Sequence, residues 1–187
     1  MPTEMLWDEL NTFKSIVELT GAASSASEQK KKETQDDLLD ILIMAYIVGY
    51  QDAGVELGME LIPDPDLMQQ AVYKDIAGKN FEQRVSEYVD SGTVEDILRV
   101  AETDVTRIYN TAVVDAGKRS GAGGLKKTWQ TMLDDRVRST HEYLQSKTVG
   151  IDEEFFTWDG DHAPYPGGFE DPSNNVNCRC YITISRD

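Results

Sequence analysis

With two cysteines in 187 residues, Cys178 and Cys180, the chain has no disulfide framework, so its fold must rest on packing. Long apolar runs are also missing. The longest, Ile41 to Tyr50, spans ten residues, well short of the ~20 that a membrane-spanning helix needs. The opening Met1-Pro2-Thr3-Glu4 has neither the basic region nor the apolar stretch of a signal peptide. These gaps predict a soluble protein made in the cytoplasm, with no membrane partner. Positive charge is scarce: 18 Lys and Arg stand against 34 Asp and Glu, a formal net charge of −16. Such a surface repels phosphate backbones and argues against generic nucleic-acid binding. One cluster runs against the trend: Lys118, Arg119, Lys126, Lys127, Arg136 and Arg138. It is either a basic island for a partner or DNA, with Lys126 and Lys127 as the contacts, or a solvated stretch neutralised by its own acidic neighbours.

Catalytic motifs are missing as well. There is no Gly-x-Ser-x-Gly elbow and no His-Glu-x-x-His, and Gly121-Ala122-Gly123-Gly124 lacks the Lys-Ser/Thr ending of a phosphate loop. No catalytic residue is therefore assigned. What the chain does have is 40% hydrophobic residues, enough for a core in one domain or in a helical region with a smaller appended one.

The first two thirds read as successive helices. An amphipathic segment from Thr3 to Leu19 stops at Gly21, and Ala22 to Ser27 reads as a hinge. A long helix is expected from Glu28 to Leu61. Gly49, Ala53, Gly54 and Gly58 fall close to one of its faces, where small residues admit either a partner helix or a neighbour from the same chain. Pro63-Asp64-Pro65-Asp66 ends this helix and starts another, with Asp64 as N-cap and Pro65 at the first helical position. That helix runs to about Val89 with an interruption at Gly78, and Ser91-Gly92-Thr93 breaks the chain. Val94, Ile97, Leu98, Ala101, Val105, Ile108 and Ala112 recur at three and four, one face of a helix that Thr93 can cap. Beyond Gly124 the pattern changes. Lys126 to Leu133 suits a strand, Ser139-Thr140-His141-Glu142 a capping box opening a brief helix, Trp158 to Asn177 a loop, and Tyr181 to Ile184 a closing strand. The expected class is α+β: a mainly helical region, residues 1–120, followed by a small α+β domain, residues 121–187.

The distinctive chemistry lies in the last sixty residues. Cys178 and Cys180, separated by one residue, face the same side of an extended segment while Arg179 faces the other. Such a pair can grip one soft metal ion. His141, in the first turn of its helix, is disfavoured as a cation there and available as the neutral, ligating imidazole. His141, Cys178 and Cys180 are thus candidate zinc ligands, with Asp135 or His162 as a fourth. The alternative is two buried thiols beside a hydrogen-bonded histidine. Asp134 and Asp135 with Arg136 and Arg138 suggest an ion-pair network beside Trp129 that fixes the turn between strand and helix.

Taken in order, these pieces resemble a known family. Lys127-Thr128-Trp129, then Leu133-Asp134-Asp135-Arg136-Val137-Arg138 and His141, then Phe155-Phe156, Tyr165-Pro166-Gly167-Gly168 and Asn177-Cys178-Arg179-Cys180, are similar to the phage Mu protein F-like minor head proteins. The resemblance covers Lys126 to Ile184. It implies a minor capsid protein active in head morphogenesis, found in the virion and, during assembly, in the host cytoplasm. It implies portal protein and major capsid protein as partners, with scaffold, DNA and oligomerisation in the head as further contacts, and a role in DNA retention or delivery. Trp129, Asp135, Arg136, Arg138 and Arg179 would be its structural motif. Some relatives carry Cys-x-x-Cys where this chain has Arg138-Ser139-Thr140-His141, which here removes one ligand from a four-ligand site. Members also occur fused to toxin domains, and none is expected after Asp187. The competing reading is a metal-dependent enzyme or toxin-like effector built on His141, Cys178 and Cys180.

Overall fold

The computed structural model describes residues 4–20, 28–91 and 93–186; the expected stop at Gly21, the hinge at Ala22 to Ser27 and the break at Gly92 lie outside them. Five helices come first: α1 (Glu4–Thr20), α2 (Glu28–Leu57), α3 (Pro65–Val72), α4 (Phe81–Ser91) and α5 (Val94–Arg119). The α+β class is as the sequence predicts.

The main packing is between α2 and α5. It is tight because Gly49 has no side chain: a Cβ there would stand 2.4 Å from the Tyr109 carbonyl oxygen and 3.2 Å from the Ala112 Cβ. At Gly54 a Cβ would lie 2.7 Å from the Met59 carbonyl oxygen. The small-residue face of α2 is thus used inside the chain. Two reciprocal bonds lock the same interface, Tyr46 Oη donating to Asp115 Oδ2 at 2.9 Å and Tyr109 Oη to Asp52 Oδ2 at 2.8 Å. By length and composition alone α2 could cross a membrane, but 56% of its apolar window is buried within the protein.

Helix α2 ends at Leu57, four residues before the predicted Leu61. Gly58 adopts φ +64°, and the Gly58 and Met59 amides donate to the Val55 and Gly54 carbonyls at 3.1 and 2.8 Å. This Schellman arrangement stops a helix whatever the apolar pattern beyond it. The other ends follow local chemistry. Asp64 Oδ1 accepts from the Asp66 and Leu67 amides ahead of Pro65. Thr93 and Asp96 form a reciprocal capping box that opens α5. The expected interruption at Gly78 widens into a turn over residues 73–80, with Ala77 and Gly78 both at positive φ.

That turn is held from below by three buried charges that the sequence pattern does not single out. Asp104 on α5 accepts from Arg84 Nη2 at 3.0 Å and from Arg107 Nε at 3.1 Å. Arg84 Nη1 also donates to the Lys74 and Lys79 carbonyls, and Arg107 Nη1 to the Ala71 carbonyl.

The second layer is an antiparallel sheet in the order β2-β1-β5, with β1 (Leu125–Gln130) between β2 (Thr148–Gly150) and β5 (Tyr181–Arg186). The strand predicted to reach Leu133 ends at Gln130. The Thr131 amide and hydroxyl both turn to Gln145 Oε1 at 2.7 Å, and Leu133 sits at φ +55°. Between β1 and β5 come α6 (Ser139–Glu142), the hairpin of β3 (Phe155–Phe156) and β4 (His162–Ala163), and α7 (Pro172–Asn175). The capping box read at Ser139 is corrected. Arg138 occupies the N-cap without a side-chain capping bond, so Ser139 is already inside the helix. Strand β5 lies on both α2 and α5: the Ile184 amide donates to Glu56 Oε2 at 2.7 Å and the Ile182 amide to Asn110 Oδ1 at 2.9 Å. One hydrophobic cluster runs through both layers, from Leu10 to Ile184.

Candidate metal centre

The residues before β5 are fixed by α5. Thr106 and Asn110 stand one turn apart, and each donates to a cysteine carbonyl: Thr106 Oγ1 to Cys178 at 2.6 Å, Asn110 Nδ2 to Cys180 at 3.1 Å. Both sulfurs therefore turn inward and Arg179 outward, as the alternation predicts. Opposite them, α6 presents His141. Its Nδ1 lies 3.6 Å from Cys178 Sγ and 3.5 Å from Cys180 Sγ. All three residues are buried, His141 and Cys178 each 1% exposed and Cys180 5%.

An aromatic cage sets the imidazole plane. Phe169 stacks on His141 at 5.5 Å and 18°, and Trp129 meets it edge-on at 5.4 Å. Phe169 is itself clamped by Asn175, whose Oδ1 accepts from its amide and whose Nδ2 donates to its carbonyl. His141 Nε2 and Trp129 Nε1 have no hydrogen-bond partner among the described residues. The two thiols do not ionise alike. Hydrogen bonding from Cys180, assisted by His141, pulls Cys178 well below the usual thiol range. Cys180 is pushed up by its bond to Cys178 and by burial.

His141, Cys178 and Cys180 line a cavity of about 10 Å³ together with Met132, Arg136, Val137, Arg138, Asn177 and Arg179. Beside it lies a groove of about 320 Å³ that shares Arg136, Arg138, Asn177 and Arg179 and adds Glu102.

Other predicted residues fall elsewhere. Asp135 is exposed and His162 is half-exposed, paired with Glu154 Oε2 at 2.8 Å, so neither joins the cluster. The ion-pair network centres on Asp134 rather than Asp135. Arg179 Nη2 donates to Asp134 at 2.7 Å, which holds that carboxyl below its usual range. Arg136 approaches the same carboxylate at 4.0 Å, and Arg138 donates to the Val176 carbonyl. The basic island is dispersed: Lys118 pairs with Asp152 and Arg119 with Asp64. Lys126 is exposed, but Lys127 is 1% exposed and is no partner or DNA contact. Strand alternation puts it on the inward face with Trp129, where its Nζ donates to the Ile151 carbonyl at 2.9 Å and lies over the Phe155 ring.

Burial pushes the Lys127 ammonium down to about 8. Between that value and the ordinary 10.5 the unfolded chain holds a proton that the folded chain has released, so folding stability rises with pH across this window. Lys127→Met removes the slope. In urea unfolding it should be the more stable form by roughly 1–3 kcal/mol near neutral pH, the gap closing by about pH 10. An unchanged gap would show that the ammonium is solvated.

The family model for phage Mu protein F like protein matches residues 66–183, more than half of the chain and the whole of this centre. The chain belongs to that family. Among curated proteins, this Mu F-like chain is 31% identical over 137 residues to an NAD(+)–arginine ADP-ribosyltransferase of Enterococcus faecalis, covering 68% of the chain and 28% of that protein. It is 34% identical over 58 residues to a minor head protein of Bacillus phage SPP1, covering 31% of the chain and 19% of that protein. The chain therefore spans less than a third of the length of either relative. No solved structure gives a significant match.

Proposed function

We propose that this Mu F-like chain is a minor head protein of a tailed phage or prophage, binding portal protein or the inner capsid during head assembly. It acts by contact. The observation that carries this reading is the likeness to the SPP1 minor head protein together with the family match. Burial agrees with it, since His141, Cys178 and Cys180 are no more than 5% exposed and belong to the core. Phe156 and Trp158, on one hairpin and 58% and 61% exposed, are candidate contact residues in this reading. In this reading residues 1–120 meet the portal or inner wall and residues 121–187 form the module built on the buried centre. Major capsid and scaffold proteins are further partners, and the chain resides in the virion after assembly in the host cytoplasm. Contact with DNA, and a part in its retention or delivery, falls to Lys126 and the arginine groove rather than to Lys127.

A tagged chain drawn from phage-producing cells is expected to retain portal or major capsid protein in near-stoichiometric yield, read by mass spectrometry. Recovery of a host protein or nucleic acid with no head protein would defeat the proposal. The name of the Enterococcus relative supplies the competing reading, a transferase. The purified chain should release no nicotinamide from NAD(+) in the presence of an arginine acceptor, and turnover would overturn the contact-only role.

A further inference from the structure

We propose that His141, Cys178 and Cys180 bind one zinc ion, with the fourth position filled by a water oxygen. The argument is geometric. Zinc holds thiolate sulfur at about 2.3 Å and imidazole nitrogen at about 2.0–2.1 Å, which in a tetrahedron separates sulfur from nitrogen by roughly 3.6 Å. The two separations here are 3.5 and 3.6 Å.

An imidazole nitrogen carries one proton or one lone pair, so Nδ1 hydrogen-bonds one sulfur at a time, and the two thiols otherwise bond each other. A cation between the three atoms satisfies all of them at once. The ligand atoms lie within 4.8 Å of one another, and they border a cavity of about 10 Å³, the space of a single water-sized body.

The frame around the site is built before any ion arrives. Thr106 and Asn110 hold the cysteine carbonyls, the His141 amide donates to the Arg138 carbonyl at 2.9 Å, and Phe169 and Trp129 fix the imidazole plane. Two thiols and a histidine suit zinc over magnesium or calcium, which prefer oxygen. Among the described residues no fourth side chain joins the group. The cavity that the three ligand atoms border is also lined by Arg136, Arg138 and Arg179. The guanidinium groups there favour an oxygen donor carrying negative charge, and they bring no ligand of their own. Such a centre ties α6 to the segment before β5, adding to the Arg138–Val176 and Thr140–Asn174 hydrogen bonds that already join them. The inference does not rest on the head-assembly reading.

The test uses the whole chain. After purification without added metal, elemental analysis should find one zinc per chain. After chelation, cobalt(II) titrated into the wild-type protein should give thiolate-to-metal charge-transfer absorption saturating at one equivalent. Cys178→Ser and Cys180→Ser should each weaken cobalt binding at least about tenfold, whereas Asp135→Ala should bind as wild type. Because the cobalt spectrum is read on the wild-type chain, it remains decisive if a cysteine variant fails to fold. A folded wild-type chain without zinc and without the charge-transfer band overturns the proposal, as does undiminished binding by both serine variants.

Discussion

Replacing Asp104 by Ala is expected to destabilise the protein by about 3–5 kcal/mol, among the largest effects of any single substitution in this fold. Asp104 is the one carboxylate between two buried guanidinium groups, and Arg84, Asp104 and Arg107 are 9%, 4% and 5% exposed. Its removal leaves two like charges in a poorly solvated space with no counter-charge. The arginines cannot simply swing out, because their other nitrogens hold the carbonyls of Ala71, Lys74 and Lys79. The loss should therefore be concentrated in residues 71–91, where amide exchange would rise ahead of exchange in α2. Asp104→Asn keeps an acceptor and should cost less. The triple replacement Arg84→Met, Asp104→Leu, Arg107→Met should recover much of the loss, since a buried ion cluster and an apolar one of similar volume are often close in stability. Urea unfolding at neutral pH measures all three. A loss below about 1 kcal/mol for Asp104→Ala would show that water reaches the cluster.

The second large effect is steric. Gly49→Val should cost about 3 kcal/mol or more, and Gly49→Ala about 2 kcal/mol, even though alanine favours a helix by roughly 1 kcal/mol. The first added atom would stand 2.4 Å from the Tyr109 carbonyl oxygen. That is backbone, so relief requires α2 and α5 to move apart, and separation strains the Tyr46–Asp115 and Tyr109–Asp52 bonds on either side. Gly58 offers the contrast. A Cβ there meets nothing within 4 Å, but φ is +64°, so Gly58→Ala should cost only about 1 kcal/mol through backbone strain. If thermal melts ranked Gly58→Ala as the more damaging of the two alanine variants, the close approach of the helices would be wrong.

The helix ends were legible because their causes are local. Asp64 before Pro65, and Thr93 three residues before Asp96, carry their capping chemistry within a single turn. Leu57 was missed as an end because the apolar pattern continues to Leu61, and the left-handed glycine outweighs it. The pairing of sulfurs across one residue was legible from strand alternation. That His141 would face both of them was a proposal from residue type alone, since 37 residues separate it from Cys178. The sequence reading put Lys127 with the basic cluster as a contact, whereas the period of β1 sets it on the inward face with Trp129. Nothing in the sequence separates Asp134 from Asp135, because the choice depends on where Arg179 arrives from the far side of the fold. The Arg84–Asp104 contact, across twenty residues and two helices, exists only once α4 has packed on α5.

Strand β5 rests on surfaces synthesised long before it. Glu56 waits 128 residues for Ile184, and Thr106 and Asn110 wait 72 for Cys178 and Ile182. On the ribosome, α2 and α5 can pair while their sheet-facing side is still bare. The order of synthesis thus makes docking of β5 a late closure, one that a non-local contact of this length slows. Until it occurs, the nascent helical layer offers an uncovered apolar face to chaperones or to a neighbouring copy.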